Sequence, residues 1–248
     1  RYAPAYYEDT DLAFAVRAAG RKVRVQPASR VLHDEGTTAG TDTGQGIKAY
    51  QVRNRGVFAA KWAEVLRGHP PPGTVPDPAS LHAGQRRVLV LDEAVPRPDR
   101  DSASLRQLNL LRMLRARGAH VAFLPTGLAH GGEATADLQQ LGVETWYAPF
   151  AASAPAWLRA HAARFDVIVL TRHHLASAFI PLLRRHAPRA RLVFDTIDLH
   201  YLRERRGALL AGDAAALRAA DATRGRELAA MAAADLTLVV SAEEQAQL

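Results

Sequence analysis

Arg87-Val88-Leu89-Val90-Leu91 is the stretch that decides the fold. Four consecutive branched apolar residues leave no polar face, so the segment reads as a strand covered on both sides, as strands of parallel sheets are. After it the pattern changes to leucine at Leu105, Leu108, Leu111 and Leu114, one face of a helix that Gly118 closes. The exchange then repeats. His120-Val121-Ala122-Phe123-Leu124, Val143-Glu144-Thr145-Trp146-Tyr147, Asp166-Val167-Ile168-Val169-Leu170, Leu192-Val193-Phe194 and Leu236-Thr237-Leu238-Val239-Val240 are strand-like, with helix-length segments between them. This alternation predicts an α/β domain over residues 86–248, built on a doubly wound parallel sheet.

Open sheets of this class bind ligands beyond the carboxyl ends of their strands. The loops expected there carry Asp92, Glu93, Arg172, His173, Asp195 and Asp198. The turn after the first strand runs Asp92-Glu93-Ala94-Val95-Pro96-Arg97-Pro98-Asp99-Arg100-Asp101-Ser102 and contains no glycine. Backbone cannot approach a pyrophosphate closely through such a turn, which argues against NAD, FAD and nucleoside triphosphates as ligands of this half. Asp92-Glu93 could suggest a phosphoacceptor, but the third strand offers no aspartate and no lysine follows Lys61. His173-His174 has no carboxylate nearby in sequence and reads as a solvated loop pair rather than a metal site.

Working back toward the start, His69-Pro70-Pro71-Pro72-Gly73-Thr74-Val75-Pro76-Asp77-Pro78 forbids helix and marks a linker over residues 67–85. The 248 residues therefore divide into a short first part, residues 1–66, and the sheet-forming second part. There is no cysteine, which excludes disulfides, thiolate nucleophiles and cysteine-bound zinc. The net charge of +7 comes mostly from arginines scattered through Ala-rich helices, with lysine at Lys22, Lys48 and Lys61 alone. No basic stripe alternates with aromatics, so the charge points to anionic sugar donors or a lipid-phosphate surface and not to nucleic acid. No apolar run reaches the roughly eighteen residues that a membrane span needs, and no basic segment with an apolar core opens the chain. A cytoplasmic protein, at most peripheral to the inner face of the membrane, is the expectation. The opening Arg1-Tyr2-Ala3 lacks an initiator Met and points to a natural N-terminus further upstream.

Two resemblances sharpen this reading. The segment with PRPDRDSASLRQLNLLRMLRARGAHVAFLP, VFDTIDLHYLRERR and ADLTLVVSAEEQAQL resembles the N-terminal, acceptor-side half of family 4 glycosyltransferases of the GT-B fold. The first part reads Tyr6-Tyr7-Glu8-Asp9-Thr10-Asp11-Leu12, then an Ala-rich helix ending Arg17-Ala18-Ala19-Gly20, then Val23-Arg24-Val25-Gln26-Pro27 and Val31-Leu32-His33. With Asn54-Arg55 and Lys61-Trp62 downstream, it resembles the C-terminal portion of family 2 glycosyltransferases of the GT-A fold. The resemblances imply a fragment of a bifunctional enzyme that moves sugar from a nucleotide-sugar donor to a glycan, lipid or protein acceptor. A second Rossmann-like donor domain and an Asp-x-Asp half belong to those families and are not in this sequence, so the fragment alone is expected to be inactive.

The chemistry assigns roles by resemblance. Inverting transfer needs a base for the acceptor hydroxyl and a divalent cation, Mn or Mg, for the departing diphosphate. The base falls on Asp9, with Glu8 and Asp11 shaping the acceptor site and His33 as metal ligand; Asp9 equally suits the cap of the helix beginning near Leu12. In the second part Asp195, Asp198 and His200 are candidates for acceptor contact or proton transfer, and no cofactor is implied there. Asp198 also suits the cap of the helix holding Tyr201-Leu202, and Asp213 that of the helix leading to Met231. The other functional class is a binding scaffold whose degenerate modules only hold a glycan or partner.

Overall fold

The structure is a computed structural model and describes residues 1–21, 23, 29–32, 42–71, 73–74, 82 and 84–248. The chain forms two compact units, Arg1–Pro76 and Asp77–Leu248. Among the described residues no helix is long and apolar enough to cross a membrane.

In the second unit the apolar runs become six parallel strands: β1 (Arg87–Asp92), β2 (His120–Pro125), β3 (Glu144–Thr145), β4 (Val167–Thr171), β5 (Arg191–Asp195) and β6 (Leu236–Leu238). Their order across the sheet is β3-β2-β1-β4-β5-β6, so the direction of winding reverses between β1 and β4. Register places Val88 of β1 opposite Val121 of β2 on one side and Val167 of β4 on the other. This is the Rossmann-like arrangement of an α/β protein.

The period of two within each strand separates two cores. Val88, Val90, Val121, Phe123, Val169 and Val193 face α4 (Ser102–Ala116) and α5 (Glu133–Gln140), which contribute Leu111 and Leu138. Leu89, Leu91, Leu124, Ile168, Leu170 and Phe194 face the other way, toward Trp157 and Leu158 of α6 (Ala154–His161), Ile180 and Leu183 of α7 (His173–His186) and Ala230 of α9 (Ala214–Ala233). Helices thus cover both sides. α8 (His200–Ala211) packs on α9, and α10 (Ala242–Gln245) follows β6.

Two local expectations shift and a third holds. Leu105, expected on the buried face of α4, is exposed, because the turn from Asp101 starts the helix with that position outward. The strand expected over 143–147 shrinks to Glu144–Thr145, since it lies at the sheet edge and pairs only with β2. Asp213 does cap α9, accepting from the N–H groups of Ala215 and Ala216.

The first unit is small. α1 (Glu8–Ala18) and α2 (Ala49–Lys61), followed by α3 (Ala63–Leu66), meet through aromatic rings, with Phe14 against Phe58 at 5.0 Å and against Trp62 at 5.4 Å. Val31 and Leu32 are exposed and lie outside any strand. His33, and most of the two strand segments expected around it, lie outside the described residues.

Candidate functional site

In the first unit the segment before α1 is shaped by one buried side chain. Asn54 on α2 has no exposed surface and donates its amide to the backbone oxygens of Tyr2 at 2.9 Å, Ala5 at 2.7 Å and Tyr6 at 3.3 Å. This holds Tyr6 and Tyr7 at φ of 74° and 75°, a left-handed conformation that residues with a Cβ rarely adopt. Such strain persists where the surroundings over-determine the backbone, and it concentrates at functional sites.

Glu8 and Asp9 follow at once, exposed in the first turn of α1. Tyr7 is the N-cap of that helix and no side chain caps it, so Asp9 is not the cap; its Oδ1 accepts from the neighbouring Thr10 N–H at 2.6 Å. Asp11 is placed differently. It accepts from Tyr2 Oη at 2.9 Å, from Lys61 Nζ at 2.6 Å and from Trp62 Nε1 at 2.7 Å. The bond from Lys61 leads the effects that hold its carboxyl below the usual range, with Trp62 and Tyr2 adding to it against partial burial. Asp11 thereby ties α1 to the end of α2, and its oxygens are already occupied. Among the described residues, groups of three or more His, Asp or Glu able to share a metal occur only in the second unit. The described part of the first unit does not assemble a site for the cation that the family 2 resemblance implies.

In the second unit the predicted edge residues do converge. Arg172, directly after β4, has φ of 63° and reaches across the winding reversal to Asp92 at the end of β1, Nε to Oδ1 3.1 Å. Its Nε also lies 3.7 Å from Glu93 Oε2, while His174 Nε2 meets Glu93 Oε1 at 2.7 Å. The histidine pair, expected as a solvated loop pair, instead opens α7 with His173 buried, and His174 finds its carboxylate in Glu93 of the turn after β1. Asp195, at the end of β5 and almost fully buried, pairs with Arg106 of α4 and accepts from the Ile197 N–H at 3.2 Å. Carboxylates and guanidinium groups thus alternate along the carboxyl edge, where parallel α/β sheets take their ligands.

Beside this row lies a second cluster. Asp198 is not the cap of α8: its carboxylate binds Arg203 and lies 3.1 Å from His200 Nδ1. The cap comes instead from Glu227 of α9, which has no exposed surface and accepts from the backbone N–H of His200 at 3.0 Å and of Tyr201 at 3.1 Å. His173 packs edge-on against His200, ring centroids 5.1 Å apart, and its Nδ1 is buried with no hydrogen-bond partner. The bond to Glu227 raises the His200 pKa against the opposing effect of burial, whereas burial pushes that of His173 down. Burial is the largest single influence on Glu227 and pushes its carboxyl up, but the bonds from His200 and the backbone outweigh it and leave the pKa lowered.

Neither Glu227 nor Arg106 stands out from motif reading. A signal for Glu227 existed in its spacing: Ala220, Thr223, Glu227 and Ala230 form the buried stripe of α9, so a carboxylate on that stripe had to find a partner. Compared with known proteins, the chain matches no protein-family model and no curated sequence.

Proposed function

We propose that both units serve glycosyl transfer, from a nucleotide-sugar donor to a glycan, lipid or protein acceptor in surface polysaccharide or glycoconjugate synthesis. The resemblance of residues 1–66 to family 2 and of residues 86–248 to family 4 glycosyltransferases supports this reading, with the first unit as part of a GT-A module and the second as the acceptor side of a GT-B module. The observation that carries it is the Tyr6–Tyr7 turn. Two strained residues, held by an amide with no exposed surface, deliver Glu8 and Asp9 to solvent at the start of a helix. A general base requires such a placement: rigidly supported, yet open to an acceptor hydroxyl.

On this reading the Asp9 carboxylate takes the hydroxyl proton as the acceptor oxygen attacks the anomeric carbon. Glu8 borders the acceptor, and Asp11 fixes the helix that carries both through Lys61, Trp62 and Tyr2. In the second unit Asp195 and Asp198 border the acceptor, with Arg172 and Arg106 supplying positive charge on the same edge. The His200 imidazole, largely buried against Glu227, acts in the support of that edge.

The test is sugar transfer by the natural gene product that carries this chain, assayed with radiolabelled nucleotide sugars. Asp9→Asn should lower turnover about a hundredfold or more while donor binding and thermal stability stay unchanged. Undiminished turnover in that variant would remove Asp9 from the chemistry.

A further inference from the structure

The His173, His200 and Glu227 cluster has a composition that packing alone does not account for. Three ionisable side chains from three helices, α7, α8 and α9, converge in a nearly closed part of the second unit, each offering a ligand atom within 4.8 Å of the others. A buried imidazole nitrogen without a partner is costly, and His173 Nδ1 is such an atom.

We propose that His173, His200 and Glu227 bind a divalent transition-metal ion of the zinc class, independently of the sugar-transfer reading. Two neutral imidazoles and one carboxylate are a donor set for zinc, which takes four ligands at about 2.0–2.2 Å and leaves a fourth place to water or another group. Bonds of that length in a tetrahedron put ligand atoms roughly 3.3–3.5 Å apart. His200 Nδ1 and Glu227 Oε1 already stand 3.5 Å apart.

Glu227 remains able to bind while it caps α8, because each of its oxygens accepts one backbone N–H and the second lone pair of Oε1 faces His200 Nδ1, where a metal would take the place of the shared proton. Those two bonds also orient the carboxylate, the service that outer-shell partners perform for metal ligands. Binding would join α7, α8 and α9 at the carboxyl edge of the sheet, beside Asp195 and Arg172.

The other convergent group, His82, His120 and Glu144, lacks these properties. Glu144 is taken up by His120 Nε2 at 2.8 Å, by the Arg164 guanidinium at 2.5 Å and by Trp146 Nε1 at 2.5 Å. The rings of His82 and His120 stack face to face at 3.5 Å, so their in-plane lone pairs do not converge. A cation already sits where the metal charge would be.

The whole chain, stripped with chelator, is titrated with zinc by calorimetry and with cobalt by visible absorption. One equivalent of zinc should bind with micromolar or tighter affinity, cobalt should give the intense absorption of a four-coordinate site, and magnesium in large excess should not compete. His173→Ala should abolish the cobalt band and weaken zinc at least about a hundredfold, and Glu227→Gln, which keeps a cap acceptor, should weaken it at least tenfold. His120→Ala should change neither. The folded state of each variant is checked by circular dichroism; if His173→Ala does not fold, Glu227→Gln and the cobalt spectrum of the unmutated chain decide. The absence of stoichiometric zinc binding, or binding lost in His120→Ala and kept in Glu227→Gln, overturns the assignment.

Discussion

Buried Asn54 and half-buried Glu144 show how much single polar groups govern here. Asn54 is the meeting point of three backbone oxygens from the segment before α1, and no other residue type of similar volume supplies a neutral amide donor there. Asn54→Ala should cost the first unit roughly 2–3 kcal/mol, because it strands acceptors that water reaches poorly. Amide hydrogen exchange of α1 is the measurement, with faster exchange in the variant expected. Glu144 makes a pH prediction. Burial, the largest influence, raises its pKa, yet His120, Arg164 and Trp146 together hold it at about 2, against 4.5 for a free side chain. A folded pKa below the unfolded one means that the contribution to stability is complete above pH 4.5 and is lost as the pH falls toward 2. Urea unfolding at pH 7 and pH 3 should therefore show a loss for the unmodified chain that is about 2 kcal/mol larger than the loss for Glu144→Gln.

Among the elements, the α8–α9 hairpin separates a local helix signal from a tertiary one. Asp213 caps α9 through two backbone N–H groups, the local arrangement that its position just before the helix predicts. Asp198 has the same look in sequence but caps nothing, since Glu227 reaches α8 from the neighbouring helix and satisfies the N–H groups of His200 and Tyr201. Asp213→Ala should lower the stability of the second unit by about 1 kcal/mol, and Asp198→Ala by less than half of that, as read by thermal unfolding. Equal losses would return the capping role to Asp198. The shortened β3 belongs to the same scale: its alternation of polar and apolar residues was legible, but strand length depends on neighbours, and at the edge β3 has β2 alone.

For the whole molecule, the division into two units of unequal cores sets what each can do by itself. The second unit buries two layers of leucine, valine and phenylalanine on opposite sides of its sheet. Among the described residues of the first, only Tyr2, Asn54 and Phe58 are buried. A polypeptide of residues 77–248 should fold cooperatively on its own, with dispersed amide resonances; narrow dispersion would show that its two core layers do not suffice. By itself the sequence determined that residues 86–248 form a parallel sheet covered on both sides, because burial on two faces leaves a local mark in runs such as Val88–Leu91. It also determined that Asp92, Arg172 and Asp195 would stand on one edge, because that follows from their place after strands. Only the tertiary structure decided the order β3-β2-β1-β4-β5-β6, the pairing of Arg172 with Asp92 at a separation of 80 residues, and the meeting of His173 and His200 with Glu227. Those contacts depend on which segments come together across the sheet, and a chain leaves no periodic trace of a neighbour so far away along its length.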